Sequence, residues 1–313
     1  MLGLELLEKI GNDLDEGIFP IVHDGGIVKP GESRSQLPES GTEDTLYERK
    51  EPRRSAAGPW QRPPGRTWAS GRETSTGPGS TCSTASQFGE LELSDETVAD
   101  LAGAAGAYPQ VQFRPTPDLI WLLNEIIPIR GLNESALLIT VYPLATTEDI
   151  ISWAWWGPAM LWIGPRHTNY YASGSICAYE PTDGTWSRRR PLTNLLDLQV
   201  VWIVRHLFLR YFGHWPGPQA LHTPWERLRE ILPGESCGGC TSGRRYEDCC
   251  RPRDERIDPI EQLMRFNMRI TGNPERRPPR VVSEFVYGYR RDPPWLANLN
   301  LRPPQKVPAL FWR

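Results

Sequence analysis

This sequence has few cysteines, no large excess of positive or negative charge, and few long apolar runs. The chain has 313 residues, of which six are cysteine, and its net charge is −3 with a pI of about 6.0. A near-neutral chain lacks the overall field with which proteins attract polyanions, so nucleic acid is not an expected partner. The cysteines fall into two lone residues and one cluster, which is no disulfide framework. We therefore expect a reducing, cytoplasmic compartment.

We also expect neither a secretion signal nor a membrane span. The first ten residues include Glu5 and Glu8, with neither a basic start nor a cleavage site, and they do not fit a signal peptide. The longest apolar segment lies within residues 193–212. It is interrupted by the ionisable side chains Asp197, Arg205, His206 and Arg210. We therefore expect no membrane span.

Proline and glycine, by contrast, are abundant at 31 and 28 residues, and they are unevenly spread. Residues 1–92 carry one short helical pattern, followed by segments too poor in apolar surface to offset chain entropy. We predict that this region is largely disordered. Residues 253–313 hold 12 Lys or Arg against seven Asp or Glu and are also rich in proline. They predict an extended basic arm with a helix over 259–270 and a strand over 281–289.

Between these regions, five apolar runs are separated by turn signals. The runs cover residues 111–113, 120–129, 136–142, 150–156 and 159–163. They are rich in β-branched and aromatic residues, and prolines fall near their ends, which favours strands. We predict an antiparallel meander. Four tryptophans should pack on its faces: Trp153, Trp155, Trp156 and Trp162.

Helical periodicity appears in three further segments. Ser94 and Thr193 are the expected N-caps of the first two helices, and the second, over 193–212, should be the buried central helix. A third helix, over 224–231, has three apolar residues on one face: Trp225, Leu228 and Ile231. Strands followed by helices in this order indicate an α+β fold.

A histidine, an amide and a thiol lie close together at His167, Asn169 and Cys177. A thiolate attacks acyl groups, and a side-chain amide can donate to the oxyanion that then develops. Gly174 permits a tight turn between Asn169 and Cys177. Cys177 could instead be a small buried hydrophobe and His167 an ordinary loop residue. The joint arrangement favours acyl chemistry on the thiol.

The spacing resembles the active-site signature of ubiquitin-conjugating (UBC-like) enzymes: His-Pro-Asn, four residues, Gly, one residue, Ile or Val, Cys. The proline alone differs, and Thr168 stands in its place. An apolar run ending in Tyr142 and a downstream Trp186 extend the likeness, which covers about residues 113–232. It implies a UBC-like conjugating domain over 93–235, with an antiparallel β-meander packed against helices.

The resemblance also implies roles. Cys177 would receive a ubiquitin-like modifier as a thioester from an activating (adenylating) enzyme and pass it to an amine of a protein substrate. Asn169 would donate to the oxyanion or order the loop, and His167 would be mainly structural. Residues 179–190, with Asp183, would form a gate for the incoming lysine. The chain is most similar in character to divergent bacterial members, some of which act in antiphage defence.

Two alternatives stay open. A thiol hydrolase would use Cys177 with His167 as its base, and would turn over thioester or isopeptide substrates without an activating partner. A catalytically inert UBC-like module would form no thioester and would act through a zinc-binding segment.

That segment contains four cysteines: Cys237, Cys240, Cys249 and Cys250. Four thiols so close together can close a tetrahedral sulfur shell, which suits structural zinc. The run from Ser242 to Tyr246 resembles the SEC-C zinc motif, although two residues separate the first two cysteines where the motif has one. We predict a small zinc knuckle over 236–252, called the knuckle below.

Overall fold

The structure is a computed structural model. It describes residues 2–18, 20–23, 26–28, 91, 93–145, 150–164, 166–169, 174–179, 185–217, 223–237, 240, 242 and 244–271. Most of the region expected to be disordered, the strand expected over 281–289 and most of the basic arm lie outside these residues.

The described elements, in chain order, are α1 (Leu2–Asp15), β1 (Ile21–His23), β2 (Gly26–Val28), α2 (Asp95–Ala107), β3 (Gln112–Pro115), β4 (Leu119–Ile126), β5 (Ala136–Pro143), β6 (Ile151–Trp156), β7 (Leu161–Trp162), α3 (Leu192–Phe212), α4 (Pro224–Glu230), α5 (Arg251–Asp254) and α6 (Pro259–Thr271). They form an α+β fold, as predicted. Helix α6 confirms the helix expected over 259–270.

The centre of the fold is a five-stranded antiparallel sheet whose strands follow one another in the order β3-β4-β5-β6-β7. This confirms the meander. The last strand is shorter than the run from 159 to 163, because Met160 has a φ of 49°, which is not extended backbone. β1 and β2 form a separate two-stranded hairpin.

Alternate residues of the sheet face two apolar clusters. Ile120 and Leu122 belong to the main core with the helices. Trp121, Trp153 and Trp155 belong to a second cluster on the opposite face and are at most 1% exposed. The predicted packing of tryptophans on the sheet is therefore confirmed for the buried ones.

Helix α3 is the buried central helix that the periodicity predicted, but its start differs. Its N-cap is Pro191, so Thr193 lies inside the first turn. The backbone N–H of Leu192 donates to the carboxylate of Asp100 at 2.8 Å, so a side chain from α2 caps the helix in place of Thr193. Helix α3 is long and apolar enough to cross a membrane, yet most of it is buried inside the protein, as in a core helix.

Helix α2 begins at its predicted N-cap: the hydroxyl of Ser94 accepts from the backbone N–H of Thr97 at 3.2 Å. Order does not start there, however. Helix α1 contacts α3 and buries Leu7, Ile10 and Leu14 completely in the main core. The short N-terminal pattern is thus part of the folded domain.

Helix α4 confirms the predicted apolar face in part. Ile231, its C-cap, is buried and Leu228 packs against the cluster around it, whereas Trp225 is only half-buried. The helix residues that are buried are charged: Glu226, Arg227 and Glu230. They can be buried because each has a charged or backbone partner within reach, which apolar periodicity does not register.

Candidate functional site

Residues 167–177, called the thiol loop below, fold back on themselves as a narrow hairpin. The backbone N–H of Cys177 donates to the carbonyl of His167 at 2.9 Å. Next to this bond, Thr168 and Ile176 form an antiparallel bridge. His167 and Cys177 are therefore held side by side, although nine residues separate them in the sequence.

The far end of the thiol loop is fixed by Asn169. Its backbone N–H donates to the carbonyl of Ser175 at 2.7 Å, and its side-chain Nδ2 donates to the hydroxyl of Ser175 at 3.0 Å. Gly174 turns the chain with a φ of 71°, the left-handed conformation for which its lack of a Cβ suits it. The tip, residues 170–173, lies outside the described residues.

The thiol loop is anchored to the sheet and the central helix. The N–H of Ile176 donates to the carbonyl of Ser152 on β6 at 2.7 Å. The hydroxyl of Ser152 shares a hydrogen bond with Thr140 at 2.8 Å and accepts another from Gln199 of α3 at 2.7 Å. Since all three side chains are buried, this polar cluster fixes the height of the loop above the core.

Cys177 itself is half-buried and is not part of a disulfide. Its Sγ lies 4.0 Å from the carbonyl oxygen of Tyr179, whose ring meets Trp186 edge-on with centroids 5.1 Å apart. Cys177 is thus partly exposed, and the backbone carbonyl of Tyr179 lies beside its sulfur. Asp183 and its neighbours 180–184, expected to form the gate, lie outside the described residues.

His167 is buried, with 5% of its surface exposed. Its ring packs on Trp215 with centroids 4.4 Å apart, and its carbonyl also accepts from the indole N–H of Trp202 at 2.9 Å. The residue has a φ of 47°, a backbone conformation that a residue other than glycine adopts only where the surrounding structure holds it. This geometry fits a residue that shapes the loop.

Arg166 was missed by sequence reasoning, although it immediately precedes the thiol loop. It is 3% exposed and forms a bidentate ion pair with Glu235, in which Nη1 and Nη2 donate to the two carboxylate oxygens at 2.9 and 3.2 Å. Its guanidinium also donates to the carbonyl of Glu230. In a sequence, such a buried pair looks like two surface charges, so no local signal marks it.

The carbonyl of Arg166 accepts from Nε2 of His206, 2.9 Å away. A carbonyl can only accept, so His206 carries its proton on Nε2. Burial lowers the pKa of His206 to about 3, and the ring is therefore neutral at physiological pH. This histidine serves the packing between α3 and the thiol loop.

The four cysteines of the knuckle lie close enough together to hold a metal ion. Their Sγ atoms are all within 4.8 Å of one another. The separations are 3.8 Å from Cys240 to Cys237 and 3.2 Å from Cys240 to Cys249. A tetrahedral tetrathiolate zinc shell has neighbouring sulfurs about 3.8 Å apart. The donor set and the spacing therefore fit a closed metal site.

Two arginines lie beside the sulfurs. Arg244 approaches the Sγ of Cys249 at 3.6 Å, and Arg253 approaches that of Cys250 at 3.6 Å. Four thiolates around a divalent ion leave a charge of about −2, which two guanidinium groups can offset. Hydrogen bonds, first from Ser242 and then from Cys240, lower the pKa of Cys249 to about 6. Burial raises the pKa of Cys250.

The knuckle is docked on α4 through a buried polar network. Both oxygens of the Asp254 carboxylate accept from Arg227, at 2.8 and 2.6 Å, and one of them also accepts from the hydroxyl of Tyr246 at 2.9 Å. Asp254 and Tyr246 are fully buried. Tyr246 is the aromatic residue of the SEC-C-like run, so here that position serves docking.

Comparisons with protein-family models, curated proteins and solved structures find no match to this chain. Function is therefore inferred from the residues and their geometry. The structure brings together two sites that are separate in the sequence, the thiol loop and the knuckle, through the pair between Arg166 and Glu235.

Proposed function

We propose that this chain is a UBC-like transferase, which carries a ubiquitin-like modifier as a thioester on Cys177 and passes it to an amine. The observation that supports this most is the hairpin of the thiol loop, in which Cys177 is half-buried and tied to the carbonyl of His167 at 2.9 Å. The loop follows an antiparallel meander and precedes a buried helix. The resemblance of the sequence to conjugating enzymes implies this same order.

The reaction has two acyl transfers. In the first, the thiolate of Cys177 attacks the activated C-terminal carbonyl of the modifier, and the donor thiol of the activating enzyme leaves. In the second, the amine of a protein substrate attacks the thioester, the C–S bond breaks, Cys177 leaves as thiolate and the amine loses a proton. Asn169 is suited to donate to the oxyanion, provided that its Nδ2 leaves Ser175.

The metal that we propose for the knuckle is zinc, held by all four thiolates in a structural site. A filled sulfur shell supplies folding energy and has no position for substrate. Both sites need reduced thiols, which is why we place the protein in a reducing cytoplasm.

An inert interaction module is the second candidate, and one observation favours it. The side-chain amide of Asn169 is engaged with Ser175 at 3.0 Å, which serves the order of the loop without any chemistry. A thiol hydrolase is less well supported, because the ring of His167 packs on Trp215 in a buried position where a base has little access to substrate.

The test is a charging assay with the full chain, ATP, an activating (adenylating) enzyme and a ubiquitin-like modifier, the last two to be sought among the neighbouring genes. The transferase should form an adduct that thiol reductants cleave. Cys177→Ala should abolish the adduct, and Cys82→Ala, which removes the other lone cysteine, should keep it. An adduct that depends on Cys82 would refute the assignment. Turnover of thioesters without ATP or the activating enzyme would favour the hydrolase.

A further inference from the structure

Glu235, the residue immediately before the knuckle, is hydrogen-bonded to the backbone of the knuckle. The carbonyl of Glu235 accepts from the N–H of Tyr246 at 2.7 Å, and the N–H of Cys237 donates to the carbonyl of Arg244 at 2.8 Å. An antiparallel bridge between 236 and 245 lies between these two bonds. Glu235 is thus fixed by a short hairpin whose two arms lead to the two cysteine pairs.

The carboxylate of Glu235 accepts four hydrogen bonds in a buried position, where the residue is 4% exposed. Two come from Arg166, at 2.9 and 3.2 Å. The others come from the backbone N–H of Trp215 at 3.1 Å and of Leu232 at 2.6 Å. Each carboxylate oxygen therefore takes one donor from Arg166 and one from the backbone.

Two of those partners lead directly to the thiol. Arg166 is joined by a peptide bond to His167, and the Trp215 ring packs on the His167 ring. The carbonyl of His167 accepts from the N–H of Cys177. Glu235 is therefore connected to Cys177 through buried contacts with a single intervening residue on each route before His167.

We propose that Glu235 is a positioning residue for Cys177 and that the metal-bound knuckle holds it in place. Its significance for transfer rests on the proposed function, but the coupling itself is a property of the fold. Removing the carboxylate charge leaves the guanidinium of Arg166 buried and uncompensated. The backbone at 166 and 167 must then shift, and the loop that presents the thiol shifts with it.

The test is the alkylation rate of Cys177 in the zinc-loaded full chain, with iodoacetamide as the probe and peptide mass spectrometry to follow residue 177. Glu235→Gln should raise this rate about tenfold, which corresponds to about 1.4 kcal/mol of easier local opening. Glu235→Asp, which keeps the charge, should give a smaller rise in the alkylation rate. It is the variant to measure if Glu235→Gln does not fold.

Glu226→Gln is the matched control. Glu226 is a buried glutamate like Glu235, at 5% exposure, and it accepts from Thr223 at its own helix cap at 2.7 and 2.9 Å. This variant should alkylate at the wild-type rate. An equal rise in both variants would mean general loosening and would overturn the proposal, as would a folded Glu235→Gln variant with the wild-type rate.

Chelation of the metal tests the role of the knuckle. It should raise the alkylation of Cys177 in the wild type and add little in Glu235→Gln, because both changes release the same contact. Fully additive effects would overturn the coupling. Alkylation requires no thioester, so a chain that shows the coupling but never charges would refute only the transferase.

Discussion

Two alanine variants, Asn169→Ala and Ser175→Ala, should separate the two roles that one amide could have. The Nδ2 of Asn169 donates to the hydroxyl of Ser175 at 3.0 Å, and either substitution removes that bond. Ser175→Ala, however, leaves the amide in place and available to the thioester oxygen. Asn169→Ala removes the amide altogether.

The two roles differ in magnitude. A partly buried hydrogen bond between neutral groups contributes about 1 kcal/mol, so its loss should slow transfer by about fivefold if loop order is all that matters. A donor to the oxyanion is worth about 3 kcal/mol, or about a hundredfold in rate. If Asn169 is the oxyanion donor, its alanine variant should be slower than Ser175→Ala by more than a factor of about ten.

The assay is a single-turnover chase of preformed thioester with free lysine, performed on variants whose circular dichroism melts match the wild type. We expect Asn169→Ala to charge but discharge about a hundredfold more slowly, and Ser175→Ala to discharge at most about fivefold more slowly than the wild type. Equal slowing in both variants would refute the oxyanion role and assign the amide to loop order. Wild-type rates in both would strengthen the inert-module alternative.

Three further predictions concern the metal, the pH dependence and the packing of α1. Purified protein should carry about one zinc by elemental analysis, and Cys249→Ser should lose it and destabilise the adjacent helix, since the thiolate shell is then incomplete; an equally stable, metal-free wild type would contradict this. Burial lowers the pKa of His206 to about 3, below its unfolded value, so the unfolded chain binds the proton first as the pH falls below about 6.5. The free energy of unfolding should fall by about 1.4 kcal/mol for each unit by which the pH is lowered from about 6.5 to 3. His206→Gln, measured by urea unfolding across the same pH range, should lack this contribution to the pH dependence. Gly11→Ala should lower the melting temperature, because a Cβ there would lie 1.8 Å from the Phe208 ring, and overpacking of this kind costs about 1–3 kcal/mol. An unchanged melting temperature would contradict the packing of α1 against the core.

Local patterns predicted those elements whose signals are local. The meander follows from apolar runs between turn signals, and α2 starts at Ser94 because that side chain caps its own helix. The start of α3 was missed because its cap comes from Asp100, about ninety residues earlier. The place of α1 was missed for the same reason: its Gly11 meets Phe208, and no local pattern encodes that contact.

In the candidate site, too, the features with a local sequence signal were predicted and those that depend on distant residues were not. The spacing around Gly174 predicted a tight turn, and the four clustered thiols of the knuckle predicted a possible metal site. Arg166 and Glu235 were not predicted, because a buried ion pair between distant residues has the same composition as two solvated charges. The burial of Glu226, Arg227 and Glu230 on α4 was not predicted either, for the same reason.

The most direct test of the central claim is the linkage that forms on Cys177→Ser. With ATP, the activating enzyme and the modifier, a hydroxyl at this position should form an oxygen ester that survives thiol reductants, is cleaved by alkali and maps to residue 177 by peptide mass spectrometry. The wild-type adduct should be cleaved by reductant. The account is contradicted if the variant forms no ester under conditions that charge the wild type, or if the adduct maps to another residue.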